Sequence, residues 1–263
     1  MATTEEQRSS GGVRFEIDSG VAVVTIDRPE ARNAIGFATA DELEASLDEI
    51  LKTDAAVVVL RGGGDRAFVS GGDLKELGTI RTHEEAVGMA GRIRRLLDRV
   101  ATFPVPVVAA LNGHALGGGA EVAIAADVRI AADDVKIGFN QVALGIMPAW
   151  GGAERLAHVI GRGRAILAIA TGELYDAPAA QRLGLVDVVV ARMHFEDEWR
   201  KLARAMADSA PGTTRAVKAV ISAAAPSAHP DLEADATEAF AWLWTADAHW
   251  AAVEAMKKKR RTG

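Results

Sequence analysis

Two apolar runs without alternation, Ala55 to Leu60 and Val105 to Leu111, constrain this chain most. A strand with one wet face alternates apolar and polar side chains. A β-branched run that is apolar at every position belongs in a sheet covered on both faces. Ahead of the first run, Leu43, Leu47, Ile50 and Leu51 recur at helical spacing with acidic residues opposite. The second run leads into a glycine cluster that opens a helix, and Val128 to Ala131 follows as a further strand. Strand and helix therefore repeat in turn, the order of an α/β fold with crossover connections. Val13 to Ile17 and Val21 to Ile26, joined by Asp18-Ser19-Gly20, predict a hairpin before it.

From about Phe195 the pattern is helical only. Trp199, Leu202, Ala203 and Met206 form one stripe, and Phe240, Leu243 and Trp244 another, with Pro226 and Pro230 bracketing a loop. Four of the five tryptophans follow residue 195, so this segment is expected to pack on the core and on a neighbouring subunit. No internal repeat of fixed period is visible. The reading divides the chain into a disordered N-terminal tail (1–12), a core (13–194) and a helical oligomerisation region (195–263).

With 263 residues, 49% of them hydrophobic, a substantial core is available. The absence of cysteine removes disulfides, thiol nucleophiles and zinc-thiolate sites, and fits a reducing compartment. No apolar run approaches the roughly 20 residues of a membrane span, so a soluble, cytoplasmic protein is expected, with no membrane partner. A net charge of −6 argues against nucleic acid as partner. The closing Lys257-Lys258-Lys259-Arg260-Arg261 reads as a solvated tail, with small-ligand phosphates as the sharper alternative.

The chemistry concentrates in His114-Ala115-Leu116-Gly117-Gly118-Gly119-Ala120-Glu121. Glycines let a ligand approach backbone N–H groups, and a helix start offers unpaired donors with a partial positive charge. An oxygen that becomes negative during reaction is stabilised there, and Glu121, one turn on, aims an acid or base at the same spot. No P-loop sequence competes for these glycines. Ser70 lacks the preceding glycine of a nucleophile elbow. His114 and His158 read as structural.

Three segments in this order carry a resemblance: Asp27-Arg28-Pro29-Glu30-Ala31-Arg32-Asn33-Ala34, Ala67-Phe68-Val69-Ser70-Gly71-Gly72-Asp73-Leu74-Lys75, and Asn112 to Glu121. Together they resemble the crotonase (enoyl-CoA hydratase/isomerase) superfamily, and the similarity continues through Gly145 to Arg155. The resemblance implies a ClpP-like spiral of ββα units with a C-terminal helical trimerisation region, assembled as a homotrimer or as a hexamer built from two trimers. It also implies an acyl-CoA substrate whose thioester oxygen is held by the backbone N–H groups of Ser70 and Gly118. The CoA would lie along Arg32, Ala34, Gly71, Gly72, Asp73, Leu74 and Gly117, with Arg32 near phosphate and Ala34, Asp73 and Leu74 near adenine. Trp250 and Lys257 are candidates to reach a neighbour's CoA. No metal and no cofactor beyond the substrate's own CoA is implied.

One departure bears on the reaction. Family hydratases use two glutamates, the first matching Glu121 and the second falling on Gln141. An amide orients groups by hydrogen bonds but exchanges no proton near neutral pH. The reactions left are those that need an enolate and one proton shuttle. Decarboxylation of a short malonyl-type CoA, such as ethylmalonyl- or methylmalonyl-CoA, is the leading reading, because Gly145-Ile146-Met147-Pro148-Ala149-Trp150-Gly151-Gly152 is similar to ethylmalonyl-CoA decarboxylases, as more loosely is Leu243 to His249. Hydration or isomerisation by Glu121 alone is the alternative, and thioester hydrolysis fits less well. An inactive acyl-CoA-binding protein is a reading of another class.

Overall fold

The structure is a computed structural model that describes residues 7–8, 12–210, 212–223 and 232–262. Strands β1 (Gln7–Arg8), β2 (Val13–Asp18) and β3 (Val21–Ile26) open the chain, and α1 (Phe37–Ile50) follows. Three units then repeat one plan. The first is β4 (Val57–Gly62), β5 (Ala67–Val69) and α2 (His83–Ala101). The second is β6 (Val107–Leu111), β7 (His114–Leu116) and α3 (Gly118–Ala125). The third is β8 (Val128–Ala132), β9 (Lys136–Gly138) and α4 (Gly152–Ile160). Beyond them lie α5 (Arg162–Thr171), β10 (Tyr175–Asp176), α6 (Ala177–Leu183), β11 (Val188–Val190), α7 (Phe195–Ala207), α8 (Thr213–Ala223), α9 (Leu232–Thr245) and α10 (Asp247–Thr262).

Each unit sends its first strand to a seven-stranded sheet, ordered β1-β2-β3-β4-β6-β8-β11, and its second to a four-stranded sheet, ordered β10-β9-β7-β5. From β3 to β11 the large sheet is parallel, as is β5-β7-β9 in the small one. This is the α/β spiral of ββα units. The unalternated runs are its central strands: Val57 to Leu60 and all of β6 are buried, with α1 and α7 packed on this sheet. The hairpin forms as read, with Asp18 opposite Val21 and Ser19 and Gly20 both at positive φ, the twist that suits the flanking strands.

Other expectations need correction. Leu51 lies past the last turn of α1 and is half exposed, while Leu43, Leu47 and Ile50 form the buried face. Leu243 is also largely outside, because only Phe240 and Trp244 of that stripe face inward. Within the expected tail, Gln7 and Arg8 pair with Phe15 and Arg14 as an edge strand; the rest of 1–11 lies outside the described residues, as do Pro226 and Pro230. Trp199 and Trp244 are buried within their own chain, α9 packs along α2, and α10 packs on the 3-10 turn Asn140–Leu144. Among the described residues no helix is long and apolar enough to cross a membrane.

Candidate active site

The small sheet positions the site. Neighbouring parallel strands β5 and β7 end together, so Ser70-Gly71-Gly72 and Gly117-Gly118-Gly119 emerge side by side. A Cβ on Gly71 would stand 3.3 Å from the Gly118 nitrogen, and one on Gly119 would overlap the Val69 carbonyl oxygen. Gly117 turns the chain at φ 57° and ψ −117°, which a side chain would resist. Helix α3 starts immediately after it. Among the described residues the Gly118 N–H is given to no acceptor, as befits the first residue of a helix.

Ser70, the other expected donor, is different. Its N–H donates to the Arg32 carbonyl at 3.1 Å. The cause is the first segment, where Arg32 and Asn33 both take left-handed φ values of 53° and 56° and turn that carbonyl onto the end of β5. Asn33 is fully buried and holds the turn: its Oδ1 accepts from the Arg28 N–H at 2.9 Å, and its Nδ2 donates to the carbonyls of Gly63 and Ala67 at 3.0 and 2.7 Å. The segment is thereby stitched along 70–73, with Ile35 N–H to Gly71 O and Asp73 N–H to Ile35 O. The expected pair of free donors is one free and one engaged.

Glu121 is 2% exposed. Its Oε2 accepts from the Trp150 N–H at 2.7 Å and the Gly152 N–H at 2.9 Å, the latter being the first residue of α4. Its Oε1 accepts from Gln141 Nε2 at 3.0 Å. Burial raises the Glu121 pKa to about 7; the Gly152 and Trp150 N–H groups, the Arg155 charge and the Gln141 amide each pull it down by less. Near neutral pH the carboxyl is therefore present in both forms. Gln141 is itself buried, and its Oε1 has no partner. One side of the amide is spent on Glu121 and the other stands open.

Glu121 and Gln141 face one cavity of about 980 Å³ together with Ser70 and Gly118. Arg32, Ala34, Ser70, Gly71, Gly72, Asp73 and Leu74 run along it, and Gly117, Gly118, Glu121, Gln141 and Trp150 line it further on. Arg32 is exposed, whereas Ala34 and Asp73 are buried and tied to Arg28, whose guanidinium donates to the Ala34 carbonyl at 2.7 Å and to Asp73 at 2.9 Å. The Asp73 N–H is given to the Ile35 carbonyl. The Trp150 ring lies over Gly118 and stands 3.6 Å from where a Cβ of Gly72 would be, so it walls the glycine cradle.

Sequence reasoning missed the remaining apolar wall, formed by Leu77, Met89, Phe240, Trp244 and Met256. The helical stripe on α9 was the available signal, but periodicity tells that a face is buried and not what it is buried against. Trp250 lies under the Arg81 guanidinium of its own chain at 3.8 Å, and Lys257 pairs with Glu254. His114 is exposed and accepts from the Lys136 N–H at 3.1 Å, and His158 is exposed on α4.

The profile of the enoyl-CoA hydratase/isomerase family matches residues 16–260. The chain belongs to that family. It is 34% identical to the short-chain-enoyl-CoA hydratase of Clostridium acetobutylicum across 95% of both chains. It is 39% identical to an enoyl-CoA isomerase/hydratase of Mycosarcoma maydis, covering 78% of this chain and 77% of that one. The crystal structure of an enoyl-CoA hydratase from Bacillus anthracis superposes with a TM-score of 0.78 at 31% identity, over 94% of this chain and 96% of that one. The crotonase resemblance and its fold are thus established. A particular closeness to ethylmalonyl-CoA decarboxylases is not shown by these relatives, which are named for hydration and isomerisation.

Proposed function

We propose that this member of the enoyl-CoA hydratase/isomerase family hydrates or isomerises a short acyl-CoA with Glu121 as its single acid and base. The observation that carries this is the buried Glu121 carboxyl with a pKa of about 7, next to a Gln141 oxygen that has no partner. A water held between Glu121 Oε1 and Gln141 Oε1 donates one proton to each. The water oxygen bonds to Cβ of a conjugated thioester, the π electrons move to the thioester oxygen, and the water's proton passes to Glu121. Glu121 then returns that proton to Cα as the carbonyl re-forms, so one water is added and the carboxylate is regenerated. Isomerisation uses the same group, taking a proton from one carbon and returning it to another.

The enolate oxygen is placed at the Gly118 N–H, with Ser70 N–H as second donor once the thioester displaces the Arg32 carbonyl. Such donors are worth a few kcal/mol each. The CoA is placed along Arg32, Ala34, Asp73 and Leu74. Decarboxylation of an ethylmalonyl-type CoA is the second reading; a neutral Gln141 and the Trp150 wall are what favour it. Against it, among the described residues the groups that hydrogen-bond Glu121 are two backbone N–H groups and an amide, and Arg155, whose charge acts on Glu121, is bonded to the Trp150 carbonyl and Asp98. We further propose self-association as a trimer or hexamer, since Val217, Val220 and Ile221 share one exposed face of α8; light scattering of the purified protein at one mass per chain would refute it.

Incubation with crotonyl-CoA and, in parallel, ethylmalonyl-CoA, followed by mass spectrometry of the CoA species, tests the reaction. Hydroxybutyryl-CoA from the first, with the second untouched, supports hydration. Butyryl-CoA from the second, with crotonyl-CoA untouched, overturns it in favour of decarboxylation. Tight binding with no product from either leaves a binding protein.

A further inference from the structure

The corner between α9 and α10 holds a histidine that the reaction does not use. His249 is fully buried, and its Nδ1 lies 2.7 Å from the Leu144 carbonyl oxygen. A carbonyl only accepts, so Nδ1 carries a proton and donates it to Leu144. Nε2 is buried and has no partner. Burial, the larger cause, and the Arg81 charge hold the ring below its usual pKa, while the bond to Leu144 pulls the other way. The imidazole is clasped between Trp244 and Trp250, with ring centres 4.7 Å from each. Its backbone also comes close, since a Cβ on Gly145 would stand 3.5 Å from both the nitrogen and the Cα of His249.

Leu144 ends the short 3-10 turn that begins at Asn140, and Gln141 sits inside that turn. The turn's near end adjoins the glycine cradle, because a Cβ on Gly117 would lie 3.3 Å from Asn140 Oδ1. Nothing covalent holds it against α10. Besides the packing of α5 and α10 on this turn, the imidazole donates a hydrogen bond to its last carbonyl. The same corner presents Trp244 to the cavity and donates the Trp244 Nε1–H to the Ile80 carbonyl at 3.3 Å, so it is anchored on both sides of the site.

We propose that His249 is a positioning residue, holding the Asn140–Leu144 turn so that the Gln141 amide meets Glu121 with its oxygen toward the bound water. This rests on the proposed reading of Gln141 as the water-holding group. A buried ring nitrogen left unpaired costs stability, and an apolar residue would fill this aromatic clasp without that cost; the bond to Leu144 is what the histidine adds. A misplaced group near the reacting atoms slows chemistry far more than it weakens binding.

Three variants separate positioning from packing. His249→Asn keeps an N–H donor near the Nδ1 position, His249→Gln moves it toward the Nε2 position, and His249→Leu removes it. The expected result for crotonyl-CoA hydration is a fall in kcat of about tenfold for H249L and H249Q, with KM within about twofold, and H249N close to wild type. In Gln141→Ala, H249L should then cost nothing further in kcat. The side-chain amide resonances of the three glutamines, with selective ¹⁵N labelling, give a readout that needs no turnover. The Gln141 pair should shift and broaden in H249L and H249Q and hold its place in H249N. Equal kcat and an unmoved Gln141 amide in all three variants would overturn the proposal. A moved amide in a protein that hydrates nothing would keep it and reject the hydration reading alone.

Discussion

Replacing Glu121 by glutamine should make the protein more stable at alkaline pH while removing its chemistry. The folded carboxyl titrates at about 7, and its ordinary value is 4.5. That gap is worth ~3 kcal/mol at about 1.4 kcal/mol per pH unit. The folded state binds the proton more tightly than the unfolded chain, so Glu121 contributes most below pH 4.5. Its contribution is lost as pH rises from there through 7, where ionising a fully buried group becomes unfavourable. The new amide ionises nowhere. Its oxygen still accepts from the Trp150 and Gly152 N–H groups, and its NH₂ can donate to Gln141 once that amide reverses, which pairs the Gln141 oxygen left open in the native site. Urea unfolding followed by tryptophan fluorescence, at equal protein concentration, measures this. Between about pH 5 and pH 8.5 the wild type should lose roughly 2–3 kcal/mol of stability relative to E121Q, while E121Q is less active than the wild type by at least about 10²-fold throughout. A stability difference that stays constant over that range would refute the argument, because it would mean that Glu121 titrates alike in both states.

Further outcomes follow from the same geometry. Arg155 donates to the Trp150 carbonyl at 2.9 Å and its charge favours ionised Glu121, so Arg155→Met should move the Glu121 midpoint in the pH–rate profile upward, lowering kcat at pH 7 and restoring it at higher pH. Gly118→Ala drives a methyl into the Trp150 ring beside the free N–H, and should cost roughly 10²-fold or more in kcat/KM by displacing that donor. Steady-state kinetics on crotonyl-CoA checks both.

How far the fold could be read depended on the length of each signal. The apolar runs around Val58 and Val108 are long enough to show the missing alternation, and the hairpin declares itself through Ser19-Gly20. The small sheet was not legible, because Ala67–Val69, His114–Leu116 and Lys136–Gly138 are three residues each, too short for any period to register. Yet those strands set the glycine segments side by side. The site residues were legible where backbone chemistry demands a residue type, as with Gly117 to Gly119 and Glu121. They were not legible where a residue acts through its neighbour: nothing in the sequence says that Arg32 offers its carbonyl to Ser70, or that His249 grips Leu144 from about 100 residues away. The C-terminal aromatics were expected to pack on the core as well as on a neighbour, and Phe240 and Trp244 do pack on the core, where they also wall the cavity because α9 folds back along α2; that they line a site was not legible.

One carboxyl, Glu121, is proposed to serve as both acid and base near neutral pH. Titration of the glutamate side-chain carboxyls by ¹³C NMR, with E121Q identifying the resonance, tests it most directly. A carboxyl with a midpoint near 7 that is missing from E121Q is expected. A Glu121 midpoint near the ordinary 4.5 would contradict this role, because burial would then not have matched the carboxyl to neutral pH as a group that both takes and returns a proton.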